Sequence, residues 1–120
     1  MAAFVDLLGS KLQGKSGEVD TATALADKYV GLYFSAHWCP PCRGFTPELA
    51  KTYTKLTGEG KPFEIVFLSS DKADASFNEY YDTMPWLALP YSDRDRKNAL
   101  SAKYKVQFEN QSTFLMNSIT

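Results

Sequence analysis

The feature that most constrains the fold is a pair of short, almost wholly apolar runs, each followed by a segment of helical spacing. Tyr29–Ala36 reads YVGLYFSA, and Pro62–Asp71 reads PFEIVFLSSD. Runs of this length without polar alternation are typical of strands that are buried on both faces. Strands and helices alternate along the rest of the chain. The pattern therefore predicts an α/β domain with a central, mostly parallel sheet flanked by helices.

The segment FTPELAKTYTKLT, between the two runs, has the spacing of an amphipathic helix. Apolar residues recur every three or four positions at Phe45, Leu49, Tyr53 and Leu56, and these should form its buried face. Pro47 lies inside this pattern. We therefore expect Pro47 either to kink the helix or to mark its regular start.

Shorter elements complete the predicted order. A strand is expected at Glu18–Val19 and a helix over about 23–28, just before the first apolar run. Ser70 or Asp71 should cap the helix that follows the second run. A further helix should extend to about Tyr104, and STFLM near the C-terminus has the composition of a short strand.

The composition narrows the class of protein. The chain has 120 residues, of which 44% are hydrophobic, and this suits a single domain over 1–120 with a core that needs no disulfide support. The formal net charge of −1 argues against a nucleic-acid or anionic-membrane surface. No apolar run approaches the roughly 20 residues of a membrane span, and the N-terminus lacks the features of a secretory signal. We therefore expect a cytoplasmic protein, with the nucleus also accessible at this size.

Cys39 and Cys42 are the only cysteines, and they lie directly after the first apolar run. At a strand-to-helix junction, unpaired N–H groups and the positive end of the helix dipole stabilise a thiolate. The pKa of the first cysteine in such motifs falls from ~8.5 towards ~7. That thiolate can attack a substrate disulfide, and the second cysteine resolves the mixed disulfide. The pair is therefore interpreted as a redox dithiol.

Two other interpretations of the pair carry less weight. A structural zinc site needs about four ligands, whereas the chain adds only a single histidine, His37, to the two cysteines. A structural disulfide here would close too short a loop to contribute much stability. His37 could tune the pair, although an exposed and uninvolved side chain is the favoured interpretation.

The residues around the cysteines should tune the site. Pro40 and Pro41 restrict the backbone and remove two amide donors, which affects both geometry and reduction potential. Trp38 offers a flat apolar surface on which a partner can dock. Arg43 adds positive charge near the sulfurs, and a merely solvated role is an equal alternative for it.

Three stretches resemble the tryparedoxin and nucleoredoxin branch of the thioredoxin superfamily: WCPPCRGFTPEL, FEIVFLSSD and MPWLALPY. The resemblance extends from about Phe4 to Val106. It implies a thioredoxin-like fold, with Cys39 as the nucleophile and Cys42 as the resolving cysteine. It also places Tyr33, as a site-tuning residue, where ordinary thioredoxins carry a buried acid.

The resemblance further implies how the protein works with others. Trp86, with Trp38, is assigned to substrate contact. The substrates should be protein disulfides such as those of peroxidases, and the electrons should come from a dithiol or a reductase. No bound cofactor is expected beyond the redox-active disulfide, and no nucleic acid or membrane partner is expected.

The tail over 107–120 departs from the family pattern. Members of the branch continue with Ile-Pro-Thr, whose proline is cis and faces the cysteines. By spacing from Val106, Asn110 stands in the place of that proline and Gln111 in the place of the threonine. A cis bond at a non-proline residue costs about 2.5–4 kcal/mol, so we expect a trans peptide there.

The same departure suggests that the final strand and helix of the family are missing. The sheet edge exposed in this way would invite dimerisation. An alternative function follows, in which the chain is a truncated isoform that binds or regulates partners and has little catalytic activity.

Overall fold

The computed structural model describes residues 2–103 and 113–118, with side chains described for 5–103. Its helices are α1 (Ala2–Leu8), α2 (Thr21–Ala24), α3 (Pro40–Gly58), α4 (Asp74–Tyr81) and α5 (Arg94–Lys103). Its strands are β1 (Lys11–Gly14), β2 (Gly17–Asp20), β3 (Tyr29–Ser35), β4 (Phe63–Ser69), β5 (Leu87–Ala88) and β6 (Thr113–Ser118). The two apolar runs thus form β3 and β4, as predicted. Within these ranges no helix combines the length and the apolar character that crossing a membrane requires.

The strands form one sheet in the order β2-β1-β5-β4-β3-β6. β3 and β4 are parallel from the pairing of Tyr29 with Phe63 to that of Ser35 with Ser69, and β5 is parallel to β4. β1 pairs antiparallel with β2 and β5, and β6 pairs antiparallel with β3. The sheet is therefore parallel at its centre, as expected, and mixed as a whole. The tight turn between β1 and β2 permits only antiparallel pairing, since parallel neighbours need a long crossover.

Both faces of the central strands are buried, as their apolar sequences predict. On one face, Leu32 and Phe34 of β3 pack with Val66 and Leu68 of β4 and with side chains from α1 and α5. The other face carries an aromatic core that α3 and α4 cover, and its largest members are Tyr33, Phe67, Phe77, Tyr80, Tyr81 and Trp86. The helix that follows the cysteines therefore lies over the aromatic face of the sheet.

The first of the predicted helices lies earlier than expected. α2 spans Thr21–Ala24 instead of 23–28. Asp20 caps it, because its carboxylate accepts hydrogen bonds from the Thr23 backbone N–H at 3.4 Å and the Thr23 hydroxyl at 3.0 Å. Asp27 has a φ of 57°, a left-handed conformation that a right-handed helix cannot contain. The prediction of helix up to residue 28 was therefore wrong.

Two further sequence expectations about helix starts need correction. α4 begins at Asp74 after Ala73, which makes no side-chain cap hydrogen bond, so neither Ser70 nor Asp71 caps it. α3 begins at Pro40, so Pro47 lies inside the helix and does not mark its start.

The predicted buried face of α3 is only partly confirmed. Leu49 is buried and Tyr53 packs on the aromatic core, as expected. Phe45 remains 42% exposed, although its ring lies 6.0 Å from that of Tyr33. Phe45 is more exposed than Leu49 and Tyr53 because it lies in the first turns of α3, close to the end of the sheet.

The tail is described only at its strand. β6 confirms the short strand predicted at STFLM, and it pairs with β3 from Tyr29 with Ser118 to Phe34 with Thr113. The expected trans peptide at Asn110, and the positions of Val106 and Gln111, lie outside the described residues.

Glu64 is a buried acid on a central strand, and its substitution should stabilise the protein. Burial raises the pKa of Glu64, and the hydrogen bond from the Ile65 backbone N–H offsets this only in part. Because the pKa of Glu64 is raised in the folded state, this side chain contributes to the free energy of unfolding below the ordinary glutamate pKa. That contribution is lost as the pH rises through the folded-state pKa. We therefore expect Glu64→Gln to increase the free energy of unfolding at pH 7, and the gain to vanish below about pH 4.

Urea denaturation at both pH values measures this effect. Glu48→Gln is the matched control, because the Glu48 side chain is 67% exposed and its replacement should change stability by less than about 0.5 kcal/mol. Equal stability of Glu64→Gln and the wild type at pH 7 would contradict the prediction.

Candidate active site

The cysteine pair lies at the start of α3, just after the short loop that follows β3. Cys39 is the N-cap of α3, with extended backbone angles of φ −101° and ψ 105°. It forms a disulfide with Cys42 across a Cα–Cα distance of 5.2 Å. The Cys39 Sγ also accepts a hydrogen bond from the Cys42 backbone N–H at 3.4 Å. The first sulfur therefore occupies the position at which a helix N-terminus stabilises negative charge.

Pro40 and Pro41 occupy the first two positions of the helix. The amides at these positions have no partner inside a helix, so proline costs little there. Because neither proline has an N–H, Cys42 supplies the first amide of α3, and that amide points at the Cys39 Sγ. The predicted tuning role of the two prolines thus has a structural basis, and it stays a prediction for the reduction potential.

Trp38 and Arg43 flank the disulfide at the surface. Trp38 is 46% exposed, and its indole Nε1 donates a hydrogen bond to the Ser70 carbonyl at 3.1 Å. Arg43 is exposed as well, whereas Cys39 and Cys42 are fully buried. For the predicted attack on a disulfide, the Cys39 side chain or its neighbours must therefore move once the Cys39–Cys42 disulfide is open.

Trp86 does not lie on this surface. Its side chain is only 1% exposed, and it packs edge-on against the rings of Tyr33 at 5.8 Å and Tyr53 at 5.6 Å. Trp86 therefore belongs to the aromatic core. The substrate contact that the resemblance implies for it stays a prediction.

A chain of buried hydroxyl groups lies beneath the first turn of α3. The Thr46 hydroxyl is 2.7 Å from the Tyr33 hydroxyl and 2.6 Å from the Tyr80 hydroxyl, and it donates to the Cys42 carbonyl at 3.1 Å. The Ser35 hydroxyl lies 2.7 Å from that of Tyr80. Burial raises the pKa of Tyr80 above its ordinary value, so its hydroxyl stays protonated.

The network places the Tyr33 hydroxyl beneath Cys42, although its site-tuning role stays a prediction. It also includes two residues that the sequence analysis missed. Thr46 follows Cys42 by four positions, and this spacing on a helix brings its side chain back to the Cys42 carbonyl. That signal was available from the sequence. Tyr80 comes from a different helix, so only the fold brings it to the cysteines.

Removing the Thr46 hydroxyl should destabilise the protein. Thr46→Val keeps the shape of the side chain but removes one hydrogen-bond partner each from the Tyr33 hydroxyl, the Tyr80 hydroxyl and the Cys42 carbonyl. We expect a loss of about 1–3 kcal/mol in the free energy of unfolding, because each buried hydrogen bond contributes about 0.5–1.5 kcal/mol. Thr52→Val is the control, since its hydroxyl makes an exposed bond to the Glu48 carbonyl. Similar losses in the two variants, measured by urea denaturation, would contradict the prediction.

A buried carboxylate fixes the loop that leads to Cys39. Asp71 is 4% exposed and accepts hydrogen bonds from the His37 backbone N–H at 2.7 Å and from the Ser69 hydroxyl at 2.6 Å. His37 is half-buried, and its ring lies 5.5 Å from that of Tyr80. The expectation of an exposed, uninvolved His37 was therefore wrong, although its imidazole does not bond to the cysteines in any contact described.

Within residues 2–103 and 113–118, no group of three or more His, Cys, Asp or Glu side chains is arranged to hold a metal ion. The candidate site consists of the two sulfurs, the N-terminus of α3 beneath them and the exposed indole of Trp38 beside them.

Comparison with known proteins places this geometry in context. A family model described as thioredoxin-like matches residues 27–110. The nucleoredoxin of Danio rerio is 45% identical over 104 residues, which are 87% of this chain and 25% of that protein. The tryparedoxin of Trypanosoma brucei brucei is 48% identical over 98 residues, which are 82% of this chain and 67% of that protein.

A solved structure shows the same similarity in three dimensions. The native tryparedoxin I from Crithidia fasciculata superposes with a TM-score of 0.86 at 39% identity, and the match covers 96% of this chain and 78% of that one. This result confirms the fold that the resemblance predicted. The chain spans only a quarter of the length of the nucleoredoxin that it matches.

Proposed function

The chain belongs to the thioredoxin-like family, in its nucleoredoxin and tryparedoxin branch, and from this membership we propose that it is a protein-disulfide reductase. Cys39 is the nucleophile and Cys42 the resolving cysteine. The observation that carries the proposal is the position of Cys39 as the N-cap of α3, with its sulfur accepting the amide hydrogen of Cys42. A thiolate at this position is stabilised both by the hydrogen bond and by the helix dipole.

The proposed reaction is a two-step thiol–disulfide exchange. The Cys39 thiolate attacks one sulfur of the substrate disulfide, and the other substrate sulfur departs as a thiolate that takes up a proton. Cys42 then loses its proton and attacks the Cys39 Sγ, which releases the second substrate sulfur. Two electrons and two protons pass from the cysteine pair to the substrate, and the Cys39–Cys42 disulfide reforms.

The remaining roles around the site are also part of the proposal. Trp38 provides the exposed apolar surface beside the sulfurs, and an external dithiol or a reductase returns the two electrons. Proteins with accessible disulfides, such as peroxidases, are the substrates. The proposal implies a reducing compartment, the cytoplasm or the nucleus, in which the pair is kept reduced.

Reduction of insulin, with dithiothreitol as the electron source, tests the proposal. The protein should accelerate precipitation of the insulin B chain well above the rate with dithiothreitol alone, and each molecule should turn over many times. A folded protein that gives no acceleration would overturn the proposal and would favour the alternative of a partner-binding protein with little activity.

A further inference from the structure

A groove of about 740 Å³ runs along one face of α3 towards the end of α4. His37 lines the end nearest the cysteines, and Tyr80 and Thr83 line the side of α4. Arg43 and Thr46 both line the groove, and Thr46 donates a hydrogen bond to the Cys42 carbonyl. The near end of the groove therefore adjoins the first turn of α3, which carries Cys42.

The groove carries positive charge along its length. Arg43, Lys51 and Lys55 line it, and no Asp or Glu does among the described residues. Lys51 pairs with Glu48 at 3.6 Å, but the two side chains are 75% and 67% exposed, and such surface pairs are worth little. The positive row is a local feature, because the whole chain has a net charge of −1.

The row follows from the geometry of the helix. Arg43, Pro47, Lys51 and Lys55 are spaced four residues apart, so they follow one another along one side of α3. Pro47 and the partly buried Ala50 contribute an apolar floor between the charged groups. The groove therefore offers both apolar contact and a line of cations.

We propose that this groove docks an acidic segment of the disulfide-bearing protein while the target disulfide lies against Cys39. The proposal rests on the reductase function proposed above and names a class of substrate for it. Charge complementarity selects this occupant, since a segment rich in Asp and Glu is attracted by Arg43, Lys51 and Lys55, whereas a basic segment is repelled.

The length of the row limits where the acidic residues must lie. From Cys39 to Lys55 the helix rises by about 24 Å, at about 1.5 Å for each residue. An extended peptide covers this distance in about seven residues, at about 3.3 Å for each. Substrates should therefore carry Asp or Glu within about seven positions of the cysteine that is attacked.

Paired synthetic peptides test the proposal on the intact protein. Each is a disulfide-linked peptide dimer, with Glu in one and Lys in the other at the same positions within about seven residues of its cysteine. The pre-reduced protein is mixed with each peptide at low salt, and the released thiol peptide is followed by chromatography. We expect the acidic peptide to react about tenfold faster, and the difference to shrink at high ionic strength.

Variants localise the effect to the groove. Lys51→Glu with Lys55→Glu should remove or reverse the preference, and Lys51→Gln with Lys55→Gln should weaken it. Lys61→Glu is the control for the loss of one lysine, because Lys61 is exposed and lies beyond the end of α3. This variant should keep the preference for the acidic peptide. Circular dichroism establishes that each variant is folded.

The outcomes separate the two proposals. Loss of the preference in the groove variants, but not in Lys61→Glu, supports docking. Equal rates with both peptides in the wild type, or a preference that survives in both groove variants, overturns docking and leaves the reductase function standing. If the wild type reduces neither peptide nor insulin, the reductase function itself is wrong.

Discussion

Replacing Cys39 with serine is expected to reduce the proposed disulfide reductase activity to the background rate of dithiothreitol. A serine hydroxyl is not ionised near neutral pH and cannot accept the substrate sulfur in a reversible exchange. Loss of a covalent nucleophile lowers turnover by on the order of a thousandfold or more. Insulin reduction by the wild type and by Cys39→Ser measures the effect, and full activity in the variant would exclude Cys39 as the nucleophile.

Cys42→Ser is the matched variant, since it removes the other sulfur from the same helix turn. It should also lose turnover, but for a different reason. Cys39 can still attack the substrate once, and without Cys42 the mixed disulfide has no internal thiol to resolve it. Mass spectrometry should therefore detect a stable covalent complex with Cys42→Ser and none with Cys39→Ser. A complex trapped only by Cys39→Ser would reverse the two assigned roles.

Replacing Trp86 with alanine is expected to give the largest loss of stability. The indole is buried between Tyr33 and Tyr53, and removing such a ring from a core costs about 3–5 kcal/mol. This is a large part of the about 5–15 kcal/mol by which a domain is stable. The free energy of unfolding, from urea denaturation, measures the loss.

Trp86→Phe distinguishes a core role from substrate contact. The indole Nε1 has no hydrogen-bond partner in the described part of the structure, so phenylalanine removes volume but no hydrogen bond. The variant should lose less stability than Trp86→Ala and keep the wild-type KM for insulin. A raised KM for insulin in a stable Trp86→Phe protein would indicate that Trp86 contacts the substrate.

The centre of the fold was predictable because the sequences of β3 and β4 indicate that both strands are buried. Apart from Glu64 and the serines, their residues are apolar on both faces, and such runs are typical of strands buried on both sides. The outer elements were harder to predict for physical reasons. β5 is formed by Leu87–Ala88 alone, and a pairing this short depends on tertiary contacts instead of local preference. α2 is set by the cap at Asp20 and by the left-handed Asp27, which outweigh the helical preference of the following residues.

The candidate site, like the fold, was predictable only in part. Cys39 and Cys42 could be placed from the sequence, since their position between a strand and a helix decides their chemistry. The depth at which a side chain is buried could not be predicted, and the burial of Trp86 in the aromatic core is an example. Tyr80 and Thr46 are 34 residues apart, and their shared hydrogen bond exists only after α4 has packed beside α3.

The hydroxyl network beneath Cys42 connects the oxidising power of the pair to the stability of the fold. Folding and disulfide formation form a closed thermodynamic cycle, so any difference in stability between the oxidised and reduced forms must equal a difference in reduction potential between the folded and unfolded chains. About 30 mV corresponds to 1.4 kcal/mol for such a two-electron couple. A substitution at Thr46 that destabilises one redox form more than the other therefore shifts the reduction potential by a calculable amount. Four denaturation curves, one for each redox form of the wild type and of the variant, give its size.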